Sequence, residues 1–199
     1  MKAKKRFSQF TLAQALQILN QHEIAEWRIP FKARLPSSLY TETITRLSKY
    51  FDLSLSAAAK SVLIDAILLE SISYFEQLKI WKAAKLQSET LQGVADYLIA
   101  PQGKVYQTPL LCVVEAKKDD FEQGLAQCLL EMYVCRQNNT QPINIFGIVT
   151  NATVWQFYQL DPQQPIYESP TYTTTHINEV LGILDWIFEQ CSHHLTKYS

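Results

Sequence analysis

The sequence predicts an α/β (α+β) protein: a mixed central sheet of about five strands flanked by helices and preceded by a helical N-terminal extension. Three observations carry this. The chain has 199 residues, 47% apolar and 19% charged, enough to bury a core as a domain of ordinary size. The hydrophobic period changes near residue 79, from a helical spacing to a strand-like alternation. The run PLLCVV (109–114) is apolar on both faces, as a central strand covered on both sides would be.

The elements come in order along the chain. FTLAQALQILN places Leu12, Ala15, Leu16 and Leu19 at helical spacing, with Thr11 and Gln14 set as a capping box. Pro30 and Pro36 then interrupt regular structure, and a second helix is predicted over 38–50. A third, over 54–77, starts at Asp52 or Ser54 and is apolar around much of its surface, which marks a core helix. Residues 1–53 are read as the helical extension and 54–199 as the main domain. IWKAAKLQSE, GVADYLIA and PLLCVVEAK read as three strands, with 93–100 and 109–117 adjacent and antiparallel. A helix over 119–138 begins with Asp119 as N-cap and carries the stripe Phe121, Leu125, Cys128, Leu129 and Met132. INIFGIVT and VWQFYQL form a strand pair or hairpin. Pro162, Pro165 and Pro170 mark a loop, and a last helix spans 178–193.

Composition excludes several classes. Eighteen basic and nineteen acidic residues give a net charge of −1, which excludes attachment to nucleic acid by bulk charge but leaves room for a local basic groove. Cys112, Cys128, Cys135 and Cys191 show no CxxC spacing and read as core residues. The basic start MKAKKRFSQF has no apolar run behind it, so it is not a secretion signal, and no apolar run is long enough to cross a membrane. The expected location is cytoplasmic. Neither a Walker-type loop, nor a dinucleotide fingerprint, nor G-x-S-x-G, nor H-E-x-x-H occurs.

The chemistry concentrates in G-V-A-D-Y-L and V-V-E-A-K. Residues two apart in a strand project to the same side, so Glu115 and Lys117 point together. A strand of Leu, Cys and Val does not end in two charges without a cost. Antiparallel pairing across the turn at 101–109 brings Asp96 beside Glu115. Two carboxylates held that close repel, and a hard divalent cation relieves the conflict. A lysine beside such a cation suits phosphoryl oxygens and an attacking water. The competing reading is that these are solvated strand-end charges.

An Asp on one strand and E-x-K on the next, with a helix before and after, resembles the PD-(D/E)XK, or restriction-endonuclease-like, nuclease superfamily. The fuller pattern G-V-A-D-Y, P-L-L-C-V-V-E-A-K-K-D-D, G-L-A-Q, I-F-G-I-V-T-N and W-Q-F is similar to a group of small bacterial proteins. The resemblance covers about residues 55 to 160, and it departs from the motif's name where Ala95 stands in place of proline. It implies a Mg²⁺-dependent (or Mn²⁺-dependent) phosphodiesterase site acting on nucleic acid, with DNA the first choice. Asp96, Glu115 and the Ala116 carbonyl would be ligands, and Lys117 would position or polarise the water. A homodimer is implied in the same way, since relatives that cut both strands often work in pairs.

Two further residues belong to this expectation. Gln127 lies with Asp120, Gly124 and Glu131 on the helix face away from the apolar stripe. That face is either solvated or part of the site; where some branches of the superfamily have Tyr, four residues after Gln, this chain has Glu131. The helix at 54–77 commonly supplies an acidic metal ligand in this superfamily. Glu70 is favoured here over Asp65, which is free to pair with Lys60. Trp155, Phe157 and Tyr158 read as core aromatics, with base stacking as the alternative. Lys79, Lys82 and Lys85, and the basic arm around Lys4–Arg6, either meet phosphates or are solvated surface. Against the nuclease stands a non-cleaving module of the same fold, or an accessory subunit of a larger nucleic-acid-processing complex.

Overall fold

The computed structural model describes residues 4–53, 56–116, 120–163 and 165–197. Among these are five α-helices and nine strands, in the order β1 (Lys5–Arg6), α1 (Leu12–Leu19), β2 (Ala25–Glu26), α2 (Ser38–Tyr50), α3 (Ala57–Ile72), β3 (Leu78–Gln87), β4 (Leu91–Pro101), β5 (Cys112–Ala116), α4 (Phe121–Asn138), β6 (Ile145–Thr150), β7 (Val154–Leu160), β8 (Ile166–Glu168), β9 (Tyr172–Thr173) and α5 (Ile177–Lys197). The class is the one the sequence predicts, a mixed sheet with helices packed on it. None of the described helices is long and apolar enough to cross a membrane.

The sheet runs β1-β4-β5-β6-β7-β8-β2, with β3 paired to β4 and β9 to β7. β3, β4 and β5 are successive antiparallel neighbours, β5 and β6 are parallel, and β6 and β7 form the expected hairpin. The parallel pair needs a crossover, and α4 supplies it. Cys112 to Glu115 and all six residues of β6 are buried, the both-faces-covered pattern of central strands. The sheet is wider than five strands because β1, β2, β8 and β9 are two or three residues long, too short for any alternation to register.

Local chemistry sets the helix ends. Thr11 and Gln14 form the expected capping box on α1, Ser37 accepts from the Tyr40 N–H on α2, and Ser56 accepts from the Ala59 N–H on α3. α3 is shorter than 54–77, because the chain turns through Tyr74 and Phe75 before β3 begins. Asp120 caps α4 by accepting the Gln123 N–H at 2.8 Å; the expected cap, Asp119, lies outside the described residues. The last helix extends beyond 178–193 at both ends.

Residues 4–53 share their core with the rest of the chain. Phe7, Ala15, Leu19, Trp27 and Ile29 are buried in it, and Trp27 stacks on Phe146 and meets Trp186 edge-on. β1 pairs with β4 and β2 with β8. α1 packs on α4, so α4 has the sheet on one side and a helix on the other. That is why ten residues of α4 are buried, Gly124 and Glu131 among them, while Gln127 between them is half-buried.

Candidate metal-dependent site on strands β4 and β5

β4 and β5 pair as Ile99↔Cys112, Leu98↔Val113 and Tyr97↔Val114. Continuing this register by one residue sets Asp96 across from Glu115, and directly opposed residues share a face. Tyr97, on the alternate face, points to α3, where its hydroxyl donates to the Ser61 carbonyl at 3.4 Å. At Asp96 a side-chain bond takes over from the ladder: Asp96 Oδ2 accepts the Ala116 N–H at 2.8 Å. Across the other edge, Lys82↔Tyr97 and Ala84↔Ala95 flank Ala83, which has a left-handed φ of 52°. An alanine there is strained, so β3 carries a kink opposite Asp96 without changing register.

Glu115 is 2% exposed and Glu131 is fully buried. Burial first, then the nearby Glu131 and Glu115 carboxylates, push the Cys128 thiol well above its ordinary range. Both carboxylates, Glu131 on α4 itself and Glu115 on β5, are thus close enough to act on this one α4 thiol. Glu131 comes three residues after Cys128 and precedes Cys135 by four, which puts all three on one helical side. The sequence reading groups Glu131 with the face away from the stripe and gives it no role. The signal that marks it is its flanks, since C-L-L-E-M-Y-V-C is apolar on both sides of the charge.

The other expected site residues go to different places. Lys117 lies outside the described residues. Gln127 is half-buried and lines a groove with Arg6, Gly93 and Val94. Glu70 is not brought to Asp96 and Glu115, which corrects its place in the expected metal set. Its Oε1 accepts from Arg34 Nη1 and from the Ser37 N–H, and its Oε2 from the Ser37 hydroxyl, each at 2.8 Å. Arg34 also pairs with Asp185 on α5. Burial opposes ionisation of Glu70, but the bonds from Arg34 and Ser37 outweigh it and hold the carboxyl below its usual range. Asp65, the other α3 carboxylate, binds Lys82 at 2.8 Å, and Lys82 sits opposite Tyr97, on the sheet face away from Asp96. Its partner is thus Lys82 and not Lys60.

Trp155, Phe157 and Tyr158 are core residues; the Trp155 indole N–H donates to the Ala152 carbonyl. Lys79 lies over the Trp81 ring and donates to the Gly103 carbonyl.

No family model and no curated protein matches this sequence. A solved structure described as "a putative nuclease belonging to DUF820", from Anabaena variabilis, is similar to 91% of this chain over 98% of its own, at 11% identity and a TM-score of 0.38. The chemistry of the site rests on its own residues.

Those residues fit a hard cation by donor type. Asp96 keeps Oδ1 beyond its bond to Ala116, and Glu115 and the Ala116 carbonyl add oxygen donors, a set that suits Mg²⁺ or Mn²⁺ over Zn²⁺. Among the described residues there is no group of three or more His, Cys, Asp or Glu arranged to hold a metal. Two carboxylates leave positions for water and phosphate oxygens, the usual state of a Mg²⁺ site.

Proposed function

We propose that this protein is a Mg²⁺- or Mn²⁺-dependent nuclease of the PD-(D/E)XK kind that hydrolyses phosphodiester bonds, with DNA as substrate. The observation that carries this is the setting of Asp96 across from Glu115 on adjacent strands, tied by the Asp96–Ala116 hydrogen bond. Asp96 and Glu115 would hold the metal, which when bound polarises the phosphoryl group and acidifies a water. Asp96 fixes the end of β5 and so the aim of the Ala116 carbonyl. Burial of Glu115 keeps its carboxylate in one orientation and away from bulk water. Lys117 orients the attacking water and offsets charge on the phosphoryl oxygens. Gln127 stands on the substrate side, in the groove wall.

The burial of Glu115 favours a second reading, a nuclease-fold module that binds without cutting. One experiment separates the two. Purified protein is incubated with supercoiled, linear, single-stranded and RNA substrates, with Mg²⁺, Mn²⁺ or EDTA. Cleavage that needs metal and disappears in Asp96→Ala supports the nuclease. Binding without cleavage, unchanged in Asp96→Ala, supports the module.

A further inference from the structure

β1 joins β4 beyond the point where β5 has ended, pairing Lys5↔Leu91 and Arg6↔Gln92. On the other side of β4, β3 pairs Gln87↔Gln92 and Lys85↔Val94. Arg6, Gln92 and Gln87 therefore form one row across three strands, with Lys85 and Val94 in the next. Exposure alternates along the facing parts of both long strands, over residues 83–87 of β3 and 91–96 of β4. Gln87, Lys85 and Ala83 are open while Leu86 and Ala84 are buried; Gln92 and Val94 are open while Leu91 and Ala95 are buried. Asp96, half-buried, continues the open side of β4 at the next position of the same parity. The result is a strip that starts at Arg6 and ends at Asp96, about 13 Å away along β4.

From Arg6 to Val94 the strip floors an open groove of about 600 Å³ walled by Tyr106 and Gln127, and Asp96 lies beyond its end. No acidic side chain lines it, although the whole chain has more acids than bases. Among the described residues neither Arg6 nor Lys85 is in an ion pair. The arm is fixed in place: the Phe7 ring occupies the position a Cβ on Gly93 would take, and the Lys5 N–H donates to the Thr90 carbonyl at 2.9 Å. Its cation is thus held at the groove.

We propose that this strip is a track for a polynucleotide backbone, with phosphates on Arg6 and Lys85 and the strand led toward Asp96. The proposal rests on the nuclease reading for the direction of the strand, but the binding it describes is measurable alone. Phosphate contacts by free cations position a strand without reading its sequence.

The test measures binding of short fluorescein-labelled single-stranded DNA, duplex DNA and RNA oligonucleotides to the full chain in EDTA, across a salt series. Arg6→Ala/Lys85→Ala should weaken binding of the preferred probe by about tenfold. It should also lower the slope of log affinity against log salt by about 1.4 for a single strand, or 1.8 for a duplex. Lys32→Ala/Lys49→Ala removes the same charge from exposed positions outside the groove and should change neither. Thermal melts check that both pairs fold. Equal losses in the two pairs would reduce the effect to bulk charge and overturn the track, as would wild-type binding by Arg6→Ala/Lys85→Ala or no binding of any probe. Metal-dependent nicking by the wild type, with no binding defect in the groove variant, sinks the track alone. A groove variant that loses binding, in a protein that never nicks, sinks the nuclease and leaves the track standing.

Discussion

The Asp96 carboxylate closes the end of β5 by accepting the Ala116 N–H at 2.8 Å, so the residue expected to hold a metal also fixes the strand that carries Glu115. Chemistry and scaffold meet in one side chain. Their contributions are separable, because asparagine keeps an acceptor oxygen and loses the charge.

Asp96→Asn should abolish cleavage and leave the melting temperature near that of the wild type. Asp96→Ala should abolish cleavage and also strand the Ala116 N–H, at a cost of about 1–3 kcal/mol. In a chain of this size that is a fall of several degrees. Thermal melts of both variants beside a nicking assay check this. Equal melting of the two would mean that the hydrogen bond contributes nothing.

Lys117→Met tests the role proposed for the lysine. The thioether side chain keeps much of the apolar stem and removes the ammonium. Mn²⁺ binding by calorimetry should persist or tighten slightly, since a nearby positive charge has gone. Cleavage should fall by about two to three orders of magnitude, the scale for one preorganised electrostatic group. Near-wild-type cleavage would reduce E-A-K to strand-end charge.

Glu70→Gln should behave in the opposite way: less stable, with metal affinity unchanged. Its carboxylate joins Arg34 and Ser37, and Arg34 also binds Asp185, so the residue clamps three segments together. Loss of the charge should cost about 1–3 kcal/mol for a pair this far from solvent. The folded carboxyl titrates below its ordinary value of 4.5, so its stabilisation is complete above that pH and is lost as acid takes the pH lower. The stability gap between wild type and variant, tracked by denaturant melts, should therefore narrow on acidification below pH 4.5. A gap independent of pH would rule out the charge as its source.

Gly147→Ala should loosen the cover over Glu115. A Cβ at Gly147 would sit 2.7 Å from Cys128 Sγ and closer still to Met132 Sδ, forcing α4 away from β6. We expect a loss of about 1–3 kcal/mol, the usual cost of overpacking. Cys128→Ala in the same chain should recover part of it, because the two sites share one space. Strict additivity in denaturant melts would refute the shared contact.

The parts of this site legible in the sequence are those set by neighbours along the chain. Asp96 and Glu115 come from strand alternation and antiparallel pairing across the loop after residue 101, and the hairpin of β6 and β7 comes from the break at 151–153. Glu70 is misplaced because its partners, Arg34 and Ser37, lie 36 and 33 residues away, beyond any local period. The buried Glu131 is missed for a related reason. A helix covered on two sides has no single apolar stripe, and the packing of α1 on α4 shows in the sequence of α4 only as the apolar residues on both sides of Glu131. The short strands β1 and β2 are invisible because two residues cannot show alternation.

Those two strands also set a timetable. β1 must wait for residues 91–92 and β2 for residues 167–168, and Arg34 meets Asp185 only across 151 positions. At ordinary rates of synthesis that last interval is roughly 8 to 30 s, during which Trp27 and Arg34 wait for Trp186 and Asp185 on α5. Closure over such long separations is slow as well as late. The early part of this chain is therefore the last to complete its contacts, and the final helix is the latch that closes it.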